Sequence, residues 1–344
     1  MQIIAVTMGD AAGIGPEISV KAVLSDEVRK VCRPFIIGSG DVIKAAVDRL
    51  RDRGVDCFAA VYHDFEEIVF SEGVETGRKE IIVLDVWPLE KENFGKGSVC
   101  PECGKAAVKY MDEAVRLCEA GSIGGFASAP MNKEGMALAG YDFAGATEYL
   151  AFATCAKEFA MIMFFGPIKM FYATNHVSLR GALDLIDEKL IYDKLVFIDR
   201  TLREMGEMNK LIGIASVNPH AGEGGKLGME EIEIQAPAIK RAVSAGCEIE
   251  GPLPADSLFY IAKDGKYGAV LVMYHDQGNI AAKLLNFGSG VTYIHGLPVI
   301  RTSVAHGTAY DIAGQGIATE STLVQAILKA AEIAGRRRLI WLRQ

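Results

Sequence analysis

The sequence lacks several features by which common protein classes are recognised. No apolar run approaches the roughly 20 residues of a membrane-spanning helix, which argues against a membrane-embedded protein. Positive charge is not in excess, because the formal net charge is −8, and this disfavours nucleic acid or an anionic membrane as the main partner. Met1–Met8 carries no basic segment before its short apolar run, so we expect a first strand there and not a signal peptide.

Two common motifs are also missing. No Gly-x-Gly-x-x-Gly dinucleotide fingerprint is present, and the glycine-rich stretch Gly9–Gly15 is interpreted as a strand-to-helix turn, with direct phosphate binding as the alternative. Cys100 and Cys103 form a lone C-x-x-C without a second ligand pair, which excludes a standard structural zinc site. The seven scattered cysteines are an odd number and suit a reducing cytoplasm.

The residues that are present describe a large globular chain. Its 344 residues suffice for about two domains, and half of them are hydrophobic. Short apolar runs alternate with amphipathic segments throughout, which predicts an α/β fold with a largely parallel sheet. A Gly-Pro turn at 166–167 between two apolar runs predicts one antiparallel pair in the middle of the chain.

Three of the six histidines share one context. His176, His220 and His275 each follow an apolar, strand-like run, and α/β sheets place ligands beyond the ends of such strands. Each one alone is more simply a structural histidine. Together they predict a catalytic metal site with an open position, for which zinc is the first choice and Co, Ni or Mn also fit. Asp256 and Asp276 are candidates to orient these histidines.

Cationic side chains form a second group of candidates. Lys133, Lys283 and Arg301 each follow an apolar run in a chain that is acidic overall. With a hydroxyl such as Thr147 they would bind phosphate or carboxylate, although simple surface solvation is the alternative. His306 opens a His-Gly-Thr-Ala loop that could line a flat ring, whereas His295 is interpreted as structural.

Several motifs stand in order along the chain. They are Gly9-Asp-Ala-Ala-Gly-Ile-Gly-Pro-Glu17, Asn132-Lys133-Glu134, Thr147-Glu148, the His176 segment, Asn218-Pro-His-Ala-Gly-Glu-Gly-Gly225, Gly251-Pro-Leu-Pro-Ala-Asp256, Tyr274-His-Asp-Gln-Gly278 and Gly296-Leu-Pro through His306-Gly-Thr-Ala309. Over nearly its whole length the chain thus resembles the 4-hydroxythreonine-4-phosphate dehydrogenase family of pyridoxine biosynthesis. That family looks like a variant of the isocitrate and isopropylmalate dehydrogenase fold, with mixed, largely parallel sheets and a cleft between two domains.

The resemblance implies a division of labour. A nucleotide-side domain would span about 1–130 plus 285–344, and a metal, substrate and dimerisation domain about 131–284. It implies a homodimer in which a divalent metal is held by three histidines, one of them from the partner subunit. It also implies NAD, or NADP, as oxidant. The residues assigned on this basis are His176, His220 and His275 for metal, Lys133, Thr147, Lys283, Thr292 and Arg301 for substrate, and His306, Gly307, Thr308 and Ala309 for the nucleotide.

The chemistry implied is oxidation of a phosphorylated hydroxy acid with loss of CO₂. Lys283 is an expected catalytic residue, and Asp256 is a candidate general base on position alone. The sequence departs from the usual family pattern at Ala11, Ala146, Thr292 and Ala305, where the family has Pro, His, Asn and Asp. A 4-phospho-D-threonate or -erythronate, or an aromatic dihydrodiol acid, is therefore an alternative to 4-hydroxythreonine 4-phosphate.

Two other classes compete with the dehydrogenase. A metal hydrolase could use the same three histidines without a nucleotide, and a non-catalytic binding protein could keep the pocket without the reaction. Retention of all three histidines together with Lys283 and Arg301 argues against the binding protein. A response to NAD or NADP separates the dehydrogenase from the hydrolase.

Overall fold

A computed structural model of the protein describes residues 1–70, 79–285 and 290–341, with the backbone alone for Phe70 and residues 338–341. In chain order the strands are β1 Gln2–Thr7, β2 Cys32–Gly38, β3 Cys57–Tyr62, β4 Lys79–Asp85, β5 Gly125–Ser128, β6 Ala160–Phe165, β7 Ile168–Tyr172, β8 Ile212–Ala215, β9 Ile249–Leu253, β10 Ala269–Val272, β11 Val291–His295 and β12 Arg301–Val304. The α-helices are α1 Gly15–Leu24, α2 Asp26–Val31, α3 Gly40–Arg51, α4 Phe65–Phe70, α5 Pro101–Glu119, α6 Lys133–Leu138, α7 Ala146–Ala153, α8 Leu179–Leu185, α9 Glu188–Glu204, α10 Ala236–Ser244, α11 Ala255–Ala262, α12 His275–Leu285 and α13 Ser321–Trp341.

The chain divides into two compact units. Unit 1 comprises residues 1–160 and 291–342, and unit 2 comprises essentially residues 161–290. Residues 131–160, which the sequence analysis placed with the metal and substrate domain, pack in unit 1. The roles assigned to the two domains remain predictions.

In unit 1 the strands lie side by side in the order β3-β4-β2-β1-β5-β12-β11. All neighbours are parallel except β11, which runs antiparallel to β12. The central strands β1 and β5 are almost wholly buried, as their continuous apolar runs predict for a parallel sheet. The fold class is therefore α/β with a largely parallel sheet, as predicted.

In unit 2 the strand order is β6-β7-β10-β8-β9. The predicted antiparallel pair around 166–167 is confirmed as β6 and β7, while β7, β10, β8 and β9 are mutually parallel neighbours. The carboxyl ends of four adjacent strands consequently meet at one edge of this sheet, which is where α/β proteins place ligands. None of the described helices is both long and apolar enough to cross a bilayer.

Some predicted elements needed correction. The amphipathic stretch from Leu179 to Met205 predicts a single helix, but the structure has two. The Asp187 side chain caps the second one by accepting a hydrogen bond from Leu190 N at 2.6 Å. Gly335 predicts the end of the last helix, but that helix continues to Trp341. Its buried Ile327, Ala330 and Ala334 give tertiary packing that outweighs the glycine's poor helix propensity.

Candidate functional site

Unit 2 carries a row of polar side chains just beyond its parallel strands. His176 lies four residues after β7, His275 three after β10, His220 five after β8 and Asp256 three after β9. All four side chains are on the solvent-accessible edge, with His275 partly covered. Because these strands are adjacent and parallel, the four residues leave the sheet on the same side.

His176 and His275 form the most compact part of this row. Their ring centroids are 5.6 Å apart, and the planes are inclined by 42°. Two imidazoles on one tetrahedral zinc ion, with Zn–N bonds of about 2.0–2.1 Å, place their centroids about 5 Å apart, so the spacing fits shared coordination. His275 Nδ1 lies 2.7 Å from Asp276 Oδ1, a contact that leaves Nε2 available as a ligand.

The ring of His275 is also held on one face by the Tyr172 ring. It stacks on Tyr172 with centroids 6.2 Å apart and planes 20° from parallel. The main-chain oxygen of His275 accepts a hydrogen bond from Asn279 Nδ2 at 3.1 Å, which fixes the start of α12. Burial raises the pKa of Tyr172, so the stacking surface stays a neutral phenol. Asp276, expected to orient a histidine, is the residue that contacts one, whereas no described hydrogen bond engages Asp256.

The third histidine does not join this pair within one copy of the chain. Among the residues that the structure describes, no three or more His, Cys, Asp or Glu side chains come close enough together to hold a metal ion. The resemblance implies that one of the three ligands comes from a second subunit, and under that arrangement a single chain would carry an incomplete site. The shared metal site therefore remains a prediction.

His220 sits in an unusual piece of backbone. Residues 220–224 all have positive φ, between 44° and 76°, and form a left-handed turn. His220, Ala221 and Glu223 are not glycines, and each such residue costs roughly 1–2 kcal/mol in this conformation. Strain of this kind persists only where surrounding contacts over-determine it, and it is concentrated at functional sites.

Lys283 lies in a different setting from the one predicted. It was expected directly beyond a buried strand, but it stands in the last turn of α12 and is exposed. Eight residues of helix separate it from His275, roughly 12 Å along the helix axis. Lys283 is thus a long, exposed cationic side chain at the opposite end of the helix that begins with His275.

In unit 1 the predicted cation Arg301 is a fully buried one. It follows the apolar run Leu297–Ile300, as predicted, but it is the first residue of β12 and only 5 % of its surface is exposed. Nε donates to Ser128 Oγ at 3.2 Å, and no other hydrogen bond to this guanidinium exists among the described residues. Burial lowers the pKa of Arg301 to about 10, partly opposed by the charge of Glu148, so it stays protonated at neutral pH.

A buried guanidinium most of whose N–H groups have no hydrogen-bond acceptor among the described residues is able to bind an anion. Burying a charge without adequate hydrogen bonds is costly, and a carboxylate or phosphate would satisfy it. Thr147 and Glu148 lie in the first turn of α7, and Lys133 reaches the same place from α6. A Cβ on Gly145 would lie 3.3 Å from both Lys133 Cε and Glu148 Oε2, which shows how closely the two side chains approach. Ser128 and Glu148 had not been predicted as site residues.

The loop His306–Ala309 packs on the glycine-rich turn after β1. Ile14 N donates to Thr308 O at 3.0 Å, and a Cβ on Gly13 would lie 2.6 Å from that oxygen. Glycine at 13 therefore serves close backbone contact, which favours the structural interpretation of this turn over phosphate binding. His306 and Gly307 remain exposed, and a Cβ on Gly307 would meet nothing within 4 Å, so there is room for a flat ligand.

Two acidic residues that sequence reasoning had not assigned anchor this region. Asp10, 1 % exposed, accepts hydrogen bonds from Tyr310 OH at 2.6 Å and Ala12 N at 2.9 Å. Burial raises the pKa of Asp10, although both hydrogen bonds act in the opposite direction. Glu17, 3 % exposed, accepts from the backbone N–H groups of Gly316 and Ala318 at 3.0 and 2.9 Å.

Lys21 completes that anchor. Its Nζ lies 3.0 Å from Glu17 Oε1 and donates to the carbonyls of Gly316 and Ala318. Glu17 and Lys21 therefore satisfy both the donors and the acceptors of the segment that follows the His306–Ala309 loop. The i,i+4 spacing of this pair is visible in the sequence, but its partners are about 300 residues away and are not.

We expect Glu17→Gln to lower the free energy of unfolding by about 1–3 kcal/mol, because one carboxylate oxygen becomes an N–H donor facing backbone N–H groups. Urea denaturation of both proteins measures this difference. Glu27→Gln is the control, since Glu27 is exposed. Equal unfolding midpoints for Glu17→Gln and the parent protein would contradict the anchoring role.

Comparison with known proteins identifies the family to which this chain belongs. Residues 30–330 match the family described as "Pyridoxal phosphate biosynthetic protein PdxA". The chain belongs to the PdxA family. A relative from Oceanobacillus iheyensis is 40 % identical over 333 residues, covering 96 % of this chain and 98 % of that protein, and is named "Putative D-threonate 4-phosphate dehydrogenase". A Clostridium botulinum relative of the same name is 36 % identical over 330 residues, 96 % of each chain.

Solved PdxA-type structures agree with the fold. The 4-hydroxythreonine-4-phosphate dehydrogenase of Klebsiella pneumoniae matches with a TM-score of 0.81 and 37 % identity, over 97 % of this chain and 98 % of that one. A terephthalate 1,2-cis-dihydrodiol dehydrogenase from Burkholderia xenovorans matches with a TM-score of 0.60 and 27 % identity, over 96 % and 98 %. The resemblance inferred from the motifs is thereby confirmed at the level of the family.

Two departures from the PdxA motif pattern can now be placed in the structure. Ala146 is the first residue of α7, half-buried, next to Thr147 and Glu148. Thr292 is 7 % exposed and lies opposite Ser303 in the β11–β12 pair. At the end of α7 nearest Lys133, the family pattern has a histidine side chain, whereas this chain has only the methyl group of Ala146.

Proposed function

We propose that this PdxA-family protein is a dehydrogenase that uses a divalent metal and NAD or NADP to oxidise a 4-phosphorylated four-carbon hydroxy acid, with D-threonate 4-phosphate as first choice. The observation that carries the proposal is the His176–His275 pair, with centroids 5.6 Å apart at the ends of adjacent parallel strands. Relatives at 36–40 % identity over almost the whole chain are named for this substrate.

The metal would be held by His176 and His275, with His220 supplied by a second copy of the chain. Zinc is the first choice, and Co, Ni and Mn suit the same imidazole ligands. When bound, such an ion supplies Lewis acidity that makes a substrate hydroxyl easier to deprotonate. Asp276 holds the His275 ring in place through Nδ1, and the Tyr172 stack limits its rotation.

The nucleotide would lie against His306–Ala309, where the Asp10 and Glu17 contacts stiffen the supporting backbone. NAD or NADP, when bound there, would supply the hydride acceptor, and the role of the protein would be to position it. In unit 1, Arg301, Lys133, Thr147 and Thr292 would bind an anionic group of the substrate. Lys283 stays a predicted substrate-binding and catalytic residue. Asp256 is the proposed general base, because it is an exposed carboxylate beyond β9 with no described hydrogen bond.

Exposed apolar side chains support a homodimer. Val177, Leu179 and Leu183 are 50 %, 58 % and 46 % exposed beside His176, and Ile280 and Leu284 are 60 % and 80 % exposed on the helix that His275 begins. The segment after His220 likewise exposes Leu227, Met229 and Ile232. Apolar surface of this extent around incomplete ligand sets is typical of an interface, and a second copy is the partner that would complete them.

The chemistry balances for D-threonate 4-phosphate. The C3 hydroxyl loses a proton and C3 loses a hydride, which gives a 3-oxo acid. The bond from C2 to the carboxylate then breaks, CO₂ leaves, and a proton adds at C2, so the product is a three-carbon phosphorylated hydroxyketone. 4-Hydroxythreonine 4-phosphate would react through the same steps. It differs from D-threonate 4-phosphate at C2, where it carries an ammonium group in place of a hydroxyl. The methyl of Ala146 in place of the family's histidine favours a change of substrate preference.

The test is an NADH-formation screen with D-threonate 4-phosphate, D-erythronate 4-phosphate, 4-hydroxythreonine 4-phosphate and an aromatic dihydrodiol acid, with and without added zinc. We expect the highest kcat/KM with D-threonate 4-phosphate, one CO₂ released per NADH formed, and loss of turnover after chelation. No reduction of NAD or NADP with any of the four would overturn the dehydrogenase. Phosphate release without nucleotide would support the metal hydrolase instead.

A further inference from the structure

The left-handed turn that carries His220 rests on a buried carboxylate. Glu231, which begins a π-helical turn, is only 4 % exposed. Its Oε1 accepts a hydrogen bond from Asn218 N at 2.7 Å, and its Oε2 accepts from Asn218 Nδ2 at 2.9 Å. One carboxylate thus holds both the main chain and the side chain of the residue two positions before His220.

The same carboxylate determines what can stand inside the turn. Gly222 has φ 76°, and a Cβ built on it would lie 2.7 Å from Glu231 Oε2. The turn therefore closes directly over the Glu231 side chain. Ser216 Oγ donates to Asn218 O at 2.8 Å, and Leu227 N donates to Gly222 O at 3.1 Å, so both ends of the turn are tied.

No cation forms an ion pair with Glu231 among the described residues, and its two hydrogen bonds both go to Asn218. A buried, unpaired carboxylate is expensive, and three non-glycine residues in the left-handed region add further cost. A purely structural turn would avoid both costs with an apolar residue and more glycines. Together they point to a turn whose shape matters for what His220 does.

We propose that Glu231, acting through Asn218 and Gly222, is the positioning residue that aims His220 at the metal. The inference rests on the proposed function, because it assumes that His220 is a metal ligand. Glu231 itself does not touch the metal. Residues that orient metal ligands from behind typically contribute about 10- to 100-fold to metal affinity.

Two matched pairs of variants test this. Glu231→Gln is compared with Glu233→Gln, an exposed residue in the same π-helical turn. Gly222→Ala is compared with Gly224→Ala, since both glycines are left-handed but a Cβ at Gly224 would meet nothing within 4 Å. Both alanine variants carry similar backbone strain, and only Gly222→Ala displaces the carboxylate.

Zinc affinity of each metal-free full-length protein is measured by competition with a chromophoric chelator, without substrate or nucleotide, and Tm is recorded alongside. We expect Glu231→Gln and Gly222→Ala to bind zinc about 10- to 100-fold more weakly, with Glu233→Gln and Gly224→Ala close to the parent. Gly222→Ala should have the lower Tm of the two alanine variants, because its Cβ displaces a buried carboxylate, so zinc is titrated well below both melting temperatures. Should Glu231→Gln not fold, the alanine pair decides alone.

The outcomes separate the inference from the proposed function. If the parent protein binds zinc and Gly222→Ala binds it as tightly as Gly224→Ala does, the positioning role is wrong and the proposed function stands. If the parent protein binds neither zinc nor Co, Ni or Mn, both are overturned. A drop in zinc affinity that merely follows a drop in Tm across all four variants would show a structural role only.

Discussion

His220→Ala is expected to lose bound zinc and dehydrogenase turnover together, with kcat/KM reduced by at least about 1000-fold. The reason is that a catalytic metal supplies several kcal/mol of transition-state stabilisation, and each 1.36 kcal/mol is a factor of ten. Because His220 is the proposed third ligand, supplied by a second copy of the chain, its loss is expected to weaken metal binding directly. Metal content by elemental analysis and initial rates of NADH formation measure the two effects.

Two companion variants control for the backbone. His220→Asn keeps a side chain that tolerates the left-handed region, where His220 has φ 52°, and so separates loss of the ligand from strain. His63→Ala removes an exposed histidine outside the predicted site. We expect His220→Asn to behave like His220→Ala and His63→Ala to behave like the parent. Turnover that survives in His220→Ala without metal would contradict the mechanism.

Arg301→Met is expected to change activity and stability in opposite directions. Loss of charged hydrogen bonds to an anionic substrate should lower kcat/KM about 100-fold, equivalent to about 3 kcal/mol. In the absence of ligand, replacing a buried guanidinium that has one described hydrogen bond by an apolar chain of similar length should raise the free energy of unfolding by about 1 kcal/mol or more. Steady-state kinetics and urea denaturation measure the two quantities.

The control is Arg51→Met, since Arg51 is an exposed residue of α3 paired with Asp48. An exposed pair of this kind contributes little, so both activity and stability should stay near those of the parent. A loss of stability in Arg301→Met together with an unchanged KM would mean that the guanidinium supports the sheet and does not bind substrate.

Much of the fold could be predicted because the strands are continuous apolar runs. Apolar runs at Gly125–Pro130, Leu211–Val217 and Tyr267–Tyr274 predict strands, and β5, β8 and β10 lie within them. β1 lies within the predicted first strand, and the hairpin β6–β7 encloses the predicted Gly-Pro turn. β3 was not predicted, because its short apolar run, Cys57–Tyr62, stands between two polar stretches and was interpreted as part of them. The helix end predicted at Gly335 was wrong because buried side chains in the turns before the glycine, such as Ile327 and Ala330, outweigh its preference for a helix terminus.

The site could be predicted only where chemistry follows a strand end. His176 and His275 lie together because parallel neighbours bring their carboxyl ends to one edge. Arg301 was predicted as a substrate-binding cation, but its burial was not, since a pattern of apolar residues ending in arginine does not reveal a charge buried at the start of a strand. The roles of Glu17 and Glu231 could not be predicted for another reason. Their hydrogen-bond partners are brought to them by tertiary packing, which no local sequence pattern indicates.

Under the proposed role of Arg301 in substrate binding, its burial would link the lifetime of the protein to the supply of substrate. A guanidinium enclosed at the start of β12 with one hydroxyl partner among the described residues would then leave the substrate-free protein less stable than the substrate-bound one. Proteolysis of transiently open molecules tracks that stability. When the substrate is scarce, the substrate-free protein should be degraded faster, so the amount of the protein would follow the amount of substrate without a separate regulator.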